Sequence, residues 1–199
     1  MEFVYDATDV PASAGPTPWQ TVGPFFHYAL PYDTGSLVVG ADRPGAFTLR
    51  GQVHDGGGDP VPDALVEVWQ ADESGRFAAA PGIFEAPAVD GFRGFGRCAT
   101  DADGRYAFTT VRPAGVPTAE GAPQAPHLAM SVFARGMLRR VATRVYFDGA
   151  AENAADPLLT SLDAARAATL VALPEDDGYR FDVRLQGADE TVFLDVVAD

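Results

Sequence analysis

A two-residue period constrains this chain more than any other feature. Apolar side chains recur at every second position in short runs at 47–53, 65–70, 104–111, 127–133, 141–147, 179–185 and 191–196. Successive side chains of an extended strand point to opposite faces, so Tyr106, Phe108 and Thr110 share one face, as do Val141, Thr143, Val145 and Phe147. The turn signals Asp55-Gly56-Gly57-Gly58, Asp103-Gly104 and Asp177-Gly178 separate the runs. Many short strands punctuated in this way predict an all-β protein, an antiparallel β-sandwich. The stretch 156–173 departs from the pattern: Leu158, Leu162, Ala165 and Leu170 have helical spacing and predict one or two short helices. The Gly/Pro-rich stretch 113–126 reads as a long loop.

The first 44 residues carry Pro16, Pro18, Trp19, Gly23, Pro24, Phe25, Phe26 and Pro31 with neither period. They read as an arm, residues 1–44, preceding a β domain at 45–199. An irregular segment rich in aromatics lies against a surface, because leaving that apolar area in water is unfavourable. With 47% hydrophobic residues the chain has enough apolar material to fold.

A net charge of -14, with Arg as the only basic side chain besides three histidines, argues against nucleic acid and anionic membranes as partners. A small anionic substrate would be repelled unless an Arg reversed the field locally. Cys98 is the single cysteine, which removes an internal disulfide and any Cys-based metal site. With no apolar run of about 18 residues and acids near Met1, the expected compartment is cytoplasmic.

Several segments, in order, resemble the intradiol ring-cleavage dioxygenases. They are Thr17-Pro18-Trp19-Gln20-Thr21-Val22-Gly23-Pro24-Phe25, Leu49-Arg50-Gly51-Gln52-Val53, Val66-Glu67-Val68-Trp69-Gln70-Ala71-Asp72, and Phe95-Gly96-Arg97 with Gly104-Arg105-Tyr106. Ala125-Pro126-His127-Leu128-Ala129, Thr143-Arg144-Val145-Tyr146-Phe147 and Tyr179-Arg180-Phe181-Asp182 follow. The likeness spans about Thr17 to Val196 and is strongest to the α chains of the two-subunit branch that cleaves protocatechuate. It implies a sandwich of the intradiol type.

Catalytic members of that family hold ferric iron with two tyrosinates and two histidines, the histidines two residues apart on a strand so that both rings leave one face. Here the matching positions are Phe77, Val116, His127 and Ala129. A benzyl ring, an isopropyl group and a methyl group offer iron no donor, and one imidazole binds metal far more weakly than four ligands together. The resemblance therefore implies no catalytic residue and no metal in this chain, with Fe(III) in a partner β chain and αβ pairs assembled into a higher hetero-oligomer. His127 has the plainer reading of a hydrogen-bonded strand-end histidine, and His27 and His54 of ordinary arm and strand-end residues.

By the same resemblance Thr21, Gly23 and Pro24 of the arm, together with Arg135, wall the partner's substrate pocket, Arg135 facing the protocatechuate carboxylate with Arg139 and Arg140 nearby. The implied reaction inserts both atoms of O2 between the hydroxylated carbons, giving 3-carboxy-cis,cis-muconate on the β-ketoadipate route. Other readings stay open: an arm that fills an interface groove, an Arg135 held in a surface salt bridge, a binding or scaffold module on the same fold, or a self-sufficient dioxygenase.

Overall fold

The computed structural model describes residues 20–21, 23, 25–40, 42–78 and 91–195. Within them are nine strands: β1 (Phe47–His54), β2 (Leu65–Trp69), β3 (Phe95–Ala99), β4 (Arg105–Thr110), β5 (His127–Phe133), β6 (Val141–Phe147), β7 (Val171–Glu175), β8 (Gly178–Arg180) and β9 (Val183–Arg184). Three short helices accompany them, α1 (Phe26–Ala29), α2 (Pro157–Ser161) and α3 (Ala164–Ala168), with a 3-10 turn at Ala151–Ala155. Alternating runs become alternating burial: in β5 Leu128, Met130 and Val132 are buried while His127, Ala129, Ser131 and Phe133 face outward.

The expected antiparallel sandwich is overturned. The strands form one mixed sheet in the order β3-β2-β5-β6-β7-β8-β1-β4, with β9 beside β1. The pairs β6–β7, β1–β8 and β1–β9 are parallel and the remaining pairs antiparallel. Alternation fixes which face of a strand is apolar but not the direction of its neighbour. After β6 the chain detours through the 3-10 turn, α2 and α3, and a connection of that length returns it parallel to the strand it left.

The sheet curls until its two ends nearly meet, giving a barrel-like body. Gly96 of β3 lies against Phe108 of β4, and a Cβ at Gly96 would come within 2.8 Å of both Phe108 and Val38. Glycine is what permits that approach. Residues 35–38 run through the seam, where the Val38 N–H donates to the Thr109 carbonyl at 2.9 Å and the Arg97 N–H donates to the Gly35 carbonyl at 2.7 Å. The buried Arg93 guanidinium donates to the carbonyls of Thr34, Gly35, Leu37 and Phe95.

The main core fills the curl with Leu49, Val53, Val66, Val68, Phe108, Leu128, Met130, Val132, Val145 and Phe147. A smaller core of Ala125, Tyr146, Leu159, Leu170 and Val192 sits beneath α2. The helical expectation for 156–173 divides accordingly, because burial of Leu170 ends α3 and starts β7 from Val171. The run 179–185 breaks into β8 and β9, and 191–195 is not a strand, although the Leu194 N–H donates to the Ala142 carbonyl at 2.8 Å.

Candidate functional site

Strand β5 carries the candidate residues of the sequence at its two ends. At its start the outward face meets two neighbours in register: His127 stands opposite Tyr146, and Ala129 opposite both Trp69 of β2 and Arg144 of β6. Directly opposed residues hold their Cβ atoms about 5 Å apart. Ala129 is therefore the small floor between an indole and a guanidinium. Loops 70–78 and 111–126 rise beside it and enclose a cleft of about 480 Å³ lined by Trp69, Phe77, Val116, Gln124, His127, Ala129 and Arg144 among others. The four positions that the family pattern assigns to iron, 77, 116, 127 and 129, thus converge on one cavity.

The donor set does not fit ferric iron. Of those four side chains only the His127 imidazole carries a donor atom, and its Nδ1 lies 2.8 Å from the Ala125 carbonyl oxygen. Among the described residues no group of three or more His, Cys, Asp or Glu side chains is gathered for a metal. Burial pushes the His127 pKa down, and the neighbouring Arg144 adds to this, against the opposing Ala125 carbonyl bond and Asp156. A neutral ring whose Nδ1–H donates to Ala125 keeps Nε2 as an acceptor.

A polar chain starts in the wall of the cleft and continues behind it. The Gln124 carboxamide, oriented to satisfy its neighbours, donates to the Val116 carbonyl at 3.0 Å and accepts from Arg144 Nη1 and Nη2 at 3.0 and 3.1 Å. Arg144 Nη1 also donates to Tyr146 Oη at 3.2 Å, and Tyr146 donates to Asp156 Oδ1 at 3.0 Å. Burial raises the Tyr146 phenol to about 12, so it remains a donor. Trp69 and Arg144 stand within the family-like segments, where nothing local assigns them a role. The alternation of Val141, Thr143, Val145 and Phe147 places Arg144 on the opposite face of its strand, but no local signal names the neighbouring strand or its register.

At the other end of β5, some 20 Å away for six residue steps of a strand, lies the arm. Thr21 Oγ1 accepts from the Gly136 N–H at 3.1 Å, which seats the arm next to Arg135. Gly23 adopts φ +72, and a Cβ there would meet nothing within 4 Å, so glycine is required by backbone conformation and not by crowding. Pro24 lies outside the described residues. Arg135 Nε pairs with Asp63 Oδ2 at 3.0 Å, and its side chain is 66% exposed. Arg139 approaches Asp195 at 3.9 Å, and Phe25 is exposed. The structure therefore brings Thr21 and Arg135 together and keeps both away from the cleft of their own chain.

Comparison with known proteins gives a consistent picture. A family model described as Dioxygenase matches residues 22–187. The chain is 45% identical over 198 residues to the protocatechuate 3,4-dioxygenase alpha chain of Burkholderia cepacia, covering 90% of this chain and 97% of that one. It is 37% identical over 155 residues to the beta chain from the same organism, covering 73% and 66%. Among solved structures, catechol 1,2-dioxygenase of Acinetobacter radioresistens superposes with a TM-score of 0.60 at 18% identity, over 92% of this chain and 64% of that chain.

Proposed function

The chain belongs to the intradiol ring-cleavage dioxygenase family, and from that premise we propose that it is the non-catalytic α subunit of a protocatechuate 3,4-dioxygenase. Its partner is the β chain, which holds the ferric ion and carries out the insertion of O2 into protocatechuate. The observation that carries this reading is the cleft itself: the four ligand positions gather there, and three of them present carbon alone. A chain that keeps the cavity but has no phenolate and one imidazole in it acts through another chain's metal.

The arm and Arg135 are this chain's contribution to the shared pocket. Residues 1–44 pack on the β chain, and Thr21, Gly23, Pro24 and Arg135 border its substrate. Three features support this. Thr21 is hydrogen-bonded beside Arg135, the Arg135 guanidinium is exposed, and among the described residues its ion pair to Asp63 is made through Nε, with the fork of Nη nitrogens suited to a carboxylate. The pairing with Asp63 is the surface salt bridge that the sequence left open for Arg135, and a substrate carboxylate would share the guanidinium with Asp63 through its exposed edge. Higher assembly proceeds by association of αβ pairs.

Co-expression with a β chain, followed by metal analysis and oxygen-uptake assay, tests the proposal. The expected result is an inactive, iron-free lone chain and an active complex with iron in proportion to β. A lone chain that binds stoichiometric iron and cleaves protocatechuate overturns it.

A further inference from the structure

The cleft that cannot hold iron has kept what an aromatic acid needs. Its volume of about 480 Å³ lies within the range of small-molecule pockets, roughly 300–1,000 Å³. Two aromatic rings face it, Trp69 at 45% and Phe77 at 62% exposure, and an indole or phenyl surface in water gains by stacking on a planar ligand. None of its lining residues is Asp or Glu.

Its cation is Arg144, half-buried, with no carboxylate among the described residues within ion-pairing distance. The guanidinium is held instead by two neutral oxygens, the Gln124 amide and the Tyr146 phenol, which use Nη1 and Nη2 and leave further N–H donors. Gln124 and Tyr146 orient the fork without neutralising it, so a partly desolvated positive charge faces a cavity in a strongly acidic protein. Facing the same cavity, His127 has Nδ1 committed to Ala125, which leaves Nε2 to accept a hydroxyl proton.

We infer that this cleft is a second ligand site, one that binds a hydroxylated aromatic monocarboxylate, with the carboxylate on Arg144, the ring between Trp69 and Phe77 and the hydroxyl toward His127. The inference does not depend on the subunit assignment above, because it concerns side chains of this chain alone and requires neither iron nor turnover.

Equilibrium dialysis with radiolabelled 4-hydroxybenzoate tests it on the chain in the assembly in which it purifies, any partner retained. The readout is the difference in ligand bound per copy of this chain between wild type and two variants. Arg144→Gln removes the charge, and Ala129→Leu fills the floor of the cleft while leaving the charge in place. Sites on a partner cancel in the difference. Each variant is expected to lose about one bound molecule per chain, or at least tenfold in affinity at that site. The uncharged 4-hydroxybenzamide is expected to bind wild type at that site at least about tenfold more weakly. Identical binding by wild type and both variants, or equal affinity for acid and amide, overturns the inference.

Discussion

Asp156 offers a quantitative test of how the cleft is supported. Its side chain is fully buried, and its carboxyl group accepts four hydrogen bonds: from the Ala125 N–H at 2.9 Å, the Tyr146 hydroxyl at 3.0 Å, and the Leu158 and Leu159 N–H groups at 2.9 and 3.2 Å. It therefore caps α2 and also ties down the loop that leads into His127 and the tyrosine that orients Arg144. Asp156→Ala removes the cap, worth about 1 kcal/mol. It also strands the buried Ala125 N–H and Tyr146 O–H, at about 1–3 kcal/mol each. The expected loss is about 4 kcal/mol, a large part of the roughly 5–15 kcal/mol that a domain has to spare. Asp156→Asn retains one acceptor oxygen for the cap but turns an amide N–H toward a donor, and should cost about 2 kcal/mol. In a Tyr146→Phe background the Ala substitution should cost about 1 kcal/mol less, since one stranded donor is gone. Urea unfolding followed by tryptophan fluorescence, with the midpoint and slope fitted separately, reads all three. A loss below about 1 kcal/mol for Asp156→Ala, or an Asn variant less stable than the Ala variant, would refute the reasoning.

Two further outcomes are expected. Arg135→Ala in the complex should raise KM for protocatechuate by about tenfold with little change in kcat, and raise it much less for uncarboxylated catechol; equal effects on the two substrates count against carboxylate recognition. His127, whose pKa is depressed by burial, should make the fold sensitive to acid. Above the ordinary histidine value of about 6.5 both folded and unfolded chains carry it neutral, so its contribution is fully present. As pH falls through that value toward the lower folded one, the unfolded chain takes up the proton first and stability is lost. The wild-type unfolding free energy should drop by up to about 1 kcal/mol more than that of His127→Asn between pH 7.5 and 5.5; parallel curves would contradict it.

The arrangement of the two sites follows from one strand. His127 and Ala129 open β5 under the cleft, while Arg135 and Gly136 follow its end and meet the arm at Thr21. A strand about 20 Å long separates the cavity from the end that carries Arg135. Substitutions at one end of β5 therefore leave the packing at the other end untouched.

The residues alone determined the faces of the strands, since side-chain alternation is local stereochemistry and needs no partner. They also determined the chemistry of the ligand positions: a methyl at Ala129, an isopropyl at Val116 and a benzyl ring at Phe77 cannot donate to a metal in any fold. What only the tertiary structure decided was which strands pair and in which direction, hence a nearly closed mixed sheet in place of a sandwich. The same step set Trp69 and Arg144 on either side of Ala129 and placed Thr21 against Gly136, 115 residues later in the chain. Pairing across such separations is settled by connection length and by the packing of Gly96 against Phe108, which no local period encodes.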